Sequence, residues 1–444
     1  MITASNQSKN VCVIGAGPSG LVAAIEIRKE GHNVVVIEQN NDIGGQWLYN
    51  PSVEAEDPLG RCSTLKVHSS VYDSLRLHTP RETMGFSDFP ILVKNDPRNF
   101  PGHREVFLYL QDFCEAFELR EMIRFDTRVE NVKMLNGGDQ IGKDLSWVVK
   151  SIDNKNEMVV EELFDAVVVA TGHYFHPRLP TIKGIDDWRK KQLHSHVYRV
   201  PDPFLNEVVV VVGNSLTGLD IVMELLQVAK EVHLSSKSLD LSEGLSKVIS
   251  KHDTLHHHLE IDSLHEDGRV VLVDGSCIAA DTIIYCTGYE YTFPFLESKG
   301  IIAVDDGRVG PPYEHTFPPS LAPSLTFIGI PRKIIGFPFF ESQARWIAQL
   351  LSAKTSLPSS DDMMLSIKEF YHAKDLAGIP KYNTHDIANF EYCDKYADFA
   401  GFPRVEEWKT KLCLAALIKA EVDLEIYREF PYEEYRLPEQ DSSH

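Results

Sequence analysis

Two stretches in which an apolar strand runs into a glycine-punctuated turn and then a helix limit this chain more than any other feature. The first, V-C-V-I-G-A-G-P-S-G-L-V-A-A-I-E-I-R-K-E-G-H-N-V-V-V-I-E, spans residues 11–38. Its pattern predicts a buried strand over Val11–Ile14, a helix from Pro18 to Lys29 stopped by Gly31, and a second strand over Val34–Ile37. Parallel strands joined in this way need a crossover helix, so the unit is βαβ and the fold class is α/β.

The residue types say what the turn is for. Gly15 permits the tight turn, Gly17 lets backbone approach a pyrophosphate and Gly20 lets the helix pack closely on the strand. Ala16, Pro18 and Ser19 complete the loop, whose phosphates would sit at the helix N-terminus. Glu38 ends the second strand, where a carboxylate accepts hydrogen bonds from a ribose and repels a 2′-phosphate. The site suits FAD or NAD rather than NADP.

A second copy, E-V-V-V-V-V-G-N-S-L-T-G-L-D-I-V-M-E-L-L-Q-V-A-K-E-V-H-L, covers residues 207–234. Its turn is Gly213, Asn214, Ser215, Leu216, Thr217 and Gly218, with Ser215 standing where the second glycine would be. Its second strand ends in Ser235-Ser236-Lys237 instead of an acid, and hydroxyls with an ammonium suit the 2′-phosphate of NADPH. A paired echo, V-V-V-A-T-G-H at 167–173 and I-I-Y-C-T-G-Y at 283–289, is expected to close each of the two sheets and carry the backbone between domains. The expected architecture is two Rossmann-like dinucleotide-binding domains. An FAD domain of residues 1–178 and 296–444 would hold an inserted NADPH domain of residues 179–295, with electrons passing from NADPH to FAD.

Composition narrows the partners. With 44 Lys and Arg against 65 Asp and Glu, the formal net charge is −21. Nucleic acid and anionic lipid are therefore poor partners, because both are bound through clustered cations. No apolar run approaches the ~18 residues of a membrane span, and the polar start M-I-T-A-S-N-Q-S-K-N does not read as a signal peptide. A cytoplasmic protein without a transmembrane segment is expected; the oligomeric state is not legible.

The seven cysteines are scattered, with no C-x-x-C pair to serve a redox or metal site. The histidines in K-H-D-T-L-H-H-H-L-E (251–260), with His265 beyond, lack the spacing of a zinc helix or finger. That segment is expected to be a surface loop leading into a strand at L-E-I-D, and no metal is expected. The polar stretch 136–143 reads as a β-hairpin loop. L-T-F-I-G-I-P (325–331) reads as the last strand of the FAD sheet, and Phe339 to Leu351 as a helix with its N-terminus towards the flavin. Glu341 and Gln343 are candidate contacts at its start, and Trp408–Ala420 reads as a further helix.

Over most of its length the chain resembles the flavin-containing monooxygenases, in particular the plant branch that includes glucosinolate S-oxygenases. The residues that carry the resemblance include G-A-G-P-S-G at 15–20, E-Q-N-N-D-I-G-G-Q-W at 38–47, L-R-L-H-T-P-R-E-T-M-G-F-S-D-F-P at 75–90, F-P-G-H-R-E-V at 100–106, G-N-S-L-T-G at 213–218 and F-P-F-F-E-S-Q-A-R-W at 337–346. The resemblance implies that Gly45, Gln46, Trp47 and Thr79 also contact FAD. The family fingerprint F-x-G-x-x-x-H-x-x-x-(Y/F) falls on Trp188, Lys190, His194 and Tyr198, with Trp188 and Lys190 departing from it. Tyr198 favours the S- and N-oxygenating branch over Baeyer–Villiger relatives. His194 and Tyr198 read either as an interdomain packing pair or as catalytic groups.

His78 stands where many family members have an Asn that helps hold the flavin hydroperoxide and the nicotinamide. A histidine can still donate a hydrogen bond there, but it titrates near neutrality. The resemblance implies NADPH- and dioxygen-dependent oxygenation of a small sulfide or amine through a flavin C4a-hydroperoxide. Methylthioalkyl glucosinolates, giving methylsulfinylalkyl glucosinolates, are the family substrate. Alternatives are N-oxygenation of amines, auxin-type monooxygenation of a keto acid, and a non-catalytic flavoprotein. A flavin disulfide reductase would need a cysteine pair at a spacing that is absent here.

Overall fold

The computed structural model describes residues 8–53, 56–62, 66–135, 145–387 and 391–435. Valine- and isoleucine-rich runs, buried on both faces, form parallel strands as their composition requires. Strand β1 (Asn10–Ile14), helix α1 (Pro18–Lys29) and strand β2 (Asn33–Ile37) make the first βαβ unit. Strands β3 (Ile123–Arg124) and β4 (Ala166–Val169) join the same sheet.

The next five strands build a second sheet: β5 (Lys191–His194), β6 (Val208–Val212), β7 (Glu231–Ser235), β8 (Leu255–His258) and β9 (Thr282–Tyr285). Helix α2 (Leu216–Leu225) follows β6 as α1 follows β1. The chain then returns to the first sheet with β10 (Leu325–Phe327) and continues into helix α3 (Phe337–Leu351). The strand orders are β10-β4-β1-β2-β3 and β5-β9-β6-β7-β8, so one plan is used twice. Every neighbouring pair in both sheets is parallel.

The two Thr-Gly strands, β4 and β9, do not close their sheets as expected. Each lies second from an edge, which β10 and β5 occupy. The segments that follow them carry the chain between the sheets and run antiparallel side by side, Pro177 opposite Tyr289. The Arg178 N–H donates to the Gly288 carbonyl at 2.9 Å, and the Glu290 N–H donates to the His176 carbonyl at 2.9 Å.

One face of the first sheet packs Val11, Val13 and Val168 against α1 and α3; the other packs Cys12, Ile14, Val167 and Val169 on an antiparallel meander through Trp147, Val149 and Phe164. Each fully buried aliphatic side chain contributes about 1.5–3 kcal/mol. A three-stranded meander over 261–279 accompanies the second sheet. The hairpin loop expected at 136–143 lies outside the described residues, and its flanking strands Thr127–Met134 and Trp147–Asp153 pair antiparallel.

Two boundaries differ from expectation. Helix α3 begins at Phe337, two residues earlier than expected, because Pro338 is tolerated in a first helical turn. The histidine segment is not a surface loop: Leu255–His258 pairs with β7 as the parallel edge strand β8. Pairing uses backbone groups alone, and an edge strand accepts polar side chains. The C-terminal helix, Glu407–Val422, packs against Glu243–Lys251 of the second sheet's unit, so close that a Cβ on Gly244 would lie 2.9 Å from the Ala420 carbonyl oxygen.

Candidate active site

The two glycine turns have nearly the same conformation. Gly15 has φ +105° and Gly213 φ +108°. A Cβ would stand 2.6 Å from the Ala170 oxygen in the first and 2.5 Å from the Cys286 oxygen in the second. Gly20 and Gly218 leave room only for hydrogen, since a Cβ would meet the Gly15 and Gly213 oxygens at 1.9 and 2.0 Å. The paired echo thus has a steric cause: each Thr-Gly strand presses its last carbonyl onto the turn of the neighbouring strand. Gly17 and Ser215 precede α1 and α2 in extended conformation, and neither helix has a side-chain cap. Their first-turn N–H groups are left for an anion.

Around the first turn the residues fit a dinucleotide. The Gly44 N–H donates to the Ala16 carbonyl at 2.9 Å, drawing the Gly44–Trp47 loop against the turn. A Cβ on Gly45, at φ +54°, would stand 2.9 Å from Gly17 Cα, so the close approach of the two loops requires glycine at 45, whereas a Cβ on Gly17 would meet Gly45 Cα only at 3.5 Å. Glu38 is buried and accepts from the N–H groups of Ala16 at 2.7 Å and Asn40 at 2.8 Å. Burial pushes its carboxyl upward while those N–H groups oppose the shift. Pro18 opens α1 without an N–H, and the Ser19 hydroxyl turns to the Ala170 carbonyl at 3.3 Å. Gln46 is held by Ser70 through its side chain and by Ser69 through its carbonyl. Trp47 sits edge-on to Phe337 at 6.3 Å. Glu341 and Gln343 already have protein partners: Glu341 accepts from Ser87 and Arg345, and Gln343 links Gly329 to Thr316.

The second turn is more open. Asn214, Ser215 and Leu216 are exposed, Thr217 is half-buried, and nothing lies within 4 Å of where a Cβ on Gly288 would stand. Ser235 is buried and its hydroxyl donates to the Leu259 carbonyl at 2.9 Å, which leaves Lys237 as the outward-facing member of the pair. Lys237 Nζ lies 3.2 Å from the Tyr382 hydroxyl and 5.0 Å from its ring centroid. Arg178 stacks on the same ring at 4.4 Å. Sequence reasoning missed Arg178 and Tyr382, which no spacing rule connects to Lys237.

His78 joins three distant segments. Its Nδ1 lies 3.0 Å from Arg428 Nη2 and 3.2 Å from the Tyr427 hydroxyl, while its Nε2 is 3.5 Å from Asp220 Oδ2 on α2. A guanidinium can only donate, so Nδ1 accepts and the proton is assigned to Nε2. Burial holds this imidazole below its ordinary pKa, in the neutral form. Thr79 follows it, half-buried. In the fingerprint, Tyr198 is an interior residue whose hydroxyl donates to Glu224 at 2.5 Å, and His194 packs on Tyr289 at 5.2 Å. Burial raises Glu224 to about 7.

The flavin-binding monooxygenase-like family model matches residues 8–251 and 247–428. The chain belongs to the flavin-containing monooxygenase family. Two Arabidopsis thaliana relatives, flavin-containing monooxygenases FMO GS-OX-like 9 and FMO GS-OX-like 8, are each 66% identical to it. The aligned regions cover 96% of this chain and 93% and 92% of theirs. The structure of S-allyl-L-cysteine S-oxygenase from Allium sativum superposes with a TM-score of 0.90 at 42% identity, covering 97% of both chains.

As a member of that family the monooxygenase is a flavoprotein with FAD and NADPH as cofactors. Among the described residues no helix is long and apolar enough to cross a membrane. The monooxygenase also contains a residue that nothing in its sequence singled out. Arg199 is buried and donates to the carbonyls of Asn50, Ser69, His196 and Tyr198, at 2.7–2.9 Å. It stitches the loops around Gln46 to the chain that enters the second sheet.

Proposed function

We propose that this monooxygenase S-oxygenates small organic sulfides, with methylthioalkyl glucosinolates as the substrate class, giving the methylsulfinylalkyl products. What carries the reading is the likeness, along nearly all of both chains, to an S-oxygenase of S-allyl-L-cysteine, itself a thioether. Residues 1–178 and 296–444 would hold FAD and residues 179–295 NADPH. When bound, FAD reduced by NADPH activates dioxygen, so that one oxygen atom passes to the substrate and the other leaves as water.

The chain's own residues orient and shield that chemistry. The turns at Gly15–Gly20 and Gly213–Gly218 offer first-turn N–H groups to the two pyrophosphates. Glu38 takes the ribose of FAD, and Lys237 with Arg178 takes the 2′-phosphate of NADPH. His78 is proposed to face the flavin, its nitrogens held by Arg428 and Asp220 while burial keeps the ring neutral.

The test is turnover of the FAD-loaded protein with NADPH under ¹⁸O₂. S-allyl-L-cysteine and a methylthioalkyl glucosinolate should each gain one labelled oxygen at sulfur, with one NADPH oxidised per product. If amines are labelled and neither sulfide is, the substrate class is wrong.

A further inference from the structure

Strands β7 and β8 bring a carboxylate and three imidazoles onto one face of the second sheet. In the parallel register His233 lies opposite His256, and Ser235 opposite His258. Residues two apart share a face, so Glu231, His233, His256 and His258 are neighbours. One ligand atom each from Glu231, His233 and His256 falls within 4.8 Å of the other two.

His233 shows that the group is incompletely satisfied. It is 8% exposed, and its Nε2 is buried without a hydrogen-bond partner. Its other nitrogen, Nδ1, is 3.0 Å from His258 Nε2, so those two atoms share one proton. If His233 carries that proton on Nδ1, its Nε2 is a bare lone pair aimed at Glu231 Oε2, 3.5 Å away. If it carries its proton on Nε2 instead, 3.5 Å is too long for a good hydrogen bond. In the first tautomer a cation between Nε2 and the carboxylate would satisfy both, and the second reaches the same state by moving the ring proton to Nδ1. Lys230 approaches the other oxygen of Glu231, at 3.9 Å, and leaves Oε2 available. Burial and the neighbouring imidazoles hold His233 below its ordinary pKa, so it is neutral at pH 7.

We propose that Glu231, His233 and His256 form a site for a divalent transition metal of the Zn²⁺ class. Metal–nitrogen and metal–oxygen bonds near 2 Å place tetrahedral ligand atoms about 3.3 Å apart. Glu231 and His256 are half-buried and reach that spacing by side-chain rotation. His258 accepts the Nδ1 proton of His233 and so fixes the tautomer that ligates, as outer partners of metal-bound histidines do. The fourth position is open to water. The metal would tie edge strand β8 to β7, four residues before Lys237.

The experiment is titration of the FAD-loaded, untagged full chain with Zn²⁺ after chelator treatment, in competition with a chromophoric chelator. One equivalent should bind and raise the melting temperature. Co²⁺ in its place should give the visible bands of a four-coordinate site. Glu231→Gln and His256→Ala should each weaken Zn²⁺ at least about 10-fold, while His265→Ala leaves it unchanged. Each variant's metal-free melting temperature and flavin content serve as the folding check. The absence of a stoichiometric equivalent on the parent protein, or of Co²⁺ bands, overturns the proposal whatever the variants do. So does an affinity that both variants share with the parent.

Discussion

The guanidinium of Arg428 donates to both carboxylate oxygens of Asp220, at 3.1 and 3.0 Å, across 208 positions of sequence. The same nitrogen reaches His78, and Tyr72 donates to Asp220 at 2.7 Å. The C-terminal segment is thereby fastened to the helix that follows the second glycine turn. The two side chains are 17% and 13% exposed, so the pair is largely withdrawn from water. Arg428→Ala should cost about 2–4 kcal/mol in urea unfolding, because it leaves Asp220 buried beside a donor too few. Loss within about 0.5 kcal/mol would show that the pair does not hold the segment down.

His78 offers a test that separates a chemical from a packing role. If it shields the reacting centre, His78→Ala should increase the share of NADPH consumed without labelled product, with little change in KM for NADPH. His78→Asn should restore coupling. Equal coupling in all three proteins would make His78 a packing residue, whatever happens to stability.

Gly15→Ala and Gly213→Ala probe two turns of one geometry. Each would force a Cβ against a backbone oxygen at positive φ. Gly15→Ala should yield protein lacking bound flavin, read from its visible absorbance. Gly213→Ala should keep the flavin yet lose reduction by NADPH at concentrations that saturate the parent. If Gly213→Ala instead loses flavin, the assignment of the two turns is reversed.

Lys237 is exposed and Ser235 is not, so cofactor preference should rest on the lysine. Lys237→Ala should raise KM for NADPH about 10-fold or more, the size of a lost charge-assisted hydrogen bond, and leave KM for NADH unchanged. A parallel rise for NADH would mean that the lysine senses something other than the 2′-phosphate.

Acid should destabilise the protein above the ordinary carboxylate range. Burial lowers His173, His194 and His315 from 6.5 to about 3. In the unfolded chain these rings take up protons as pH falls through 6.5, while in the folded chain they do not. Their effect is therefore absent above about pH 7, and stability is lost progressively as pH drops from there towards 3. Melting temperature should fall between pH 7 and 5, and His194→Gln should make that fall shallower. A flat profile over this range would contradict the burial of these rings.

Much of the fold was legible because strands and helices of this class announce themselves locally. Val11–Ile14 and Val208–Val212 are apolar runs rich in β-branched residues, followed by glycines at fixed offsets. Their geometry depends on neighbours in sequence, so the pattern alone implies the turn. Histidines 256–258 misled for the opposite reason. An edge strand is specified by the backbone of its partner, and its own side chains carry little trace of it.

The sequence by itself determined the repeated βαβ plan, the acid at Glu38, the base at Lys237 and the glycines that no other residue can replace, since each is a steric or charge demand met within a few residues. Tertiary structure alone decided what surrounds them. It seats Ala170 and Cys286 against the turns, stacks Arg178 and Lys237 on Tyr382, and closes Arg428 over Asp220 and His78. It also assembles Glu231, His233 and His256 across two strands. These relationships join residues tens to hundreds of positions apart, and packing free energy, which has no short-range pattern, is what brings them together.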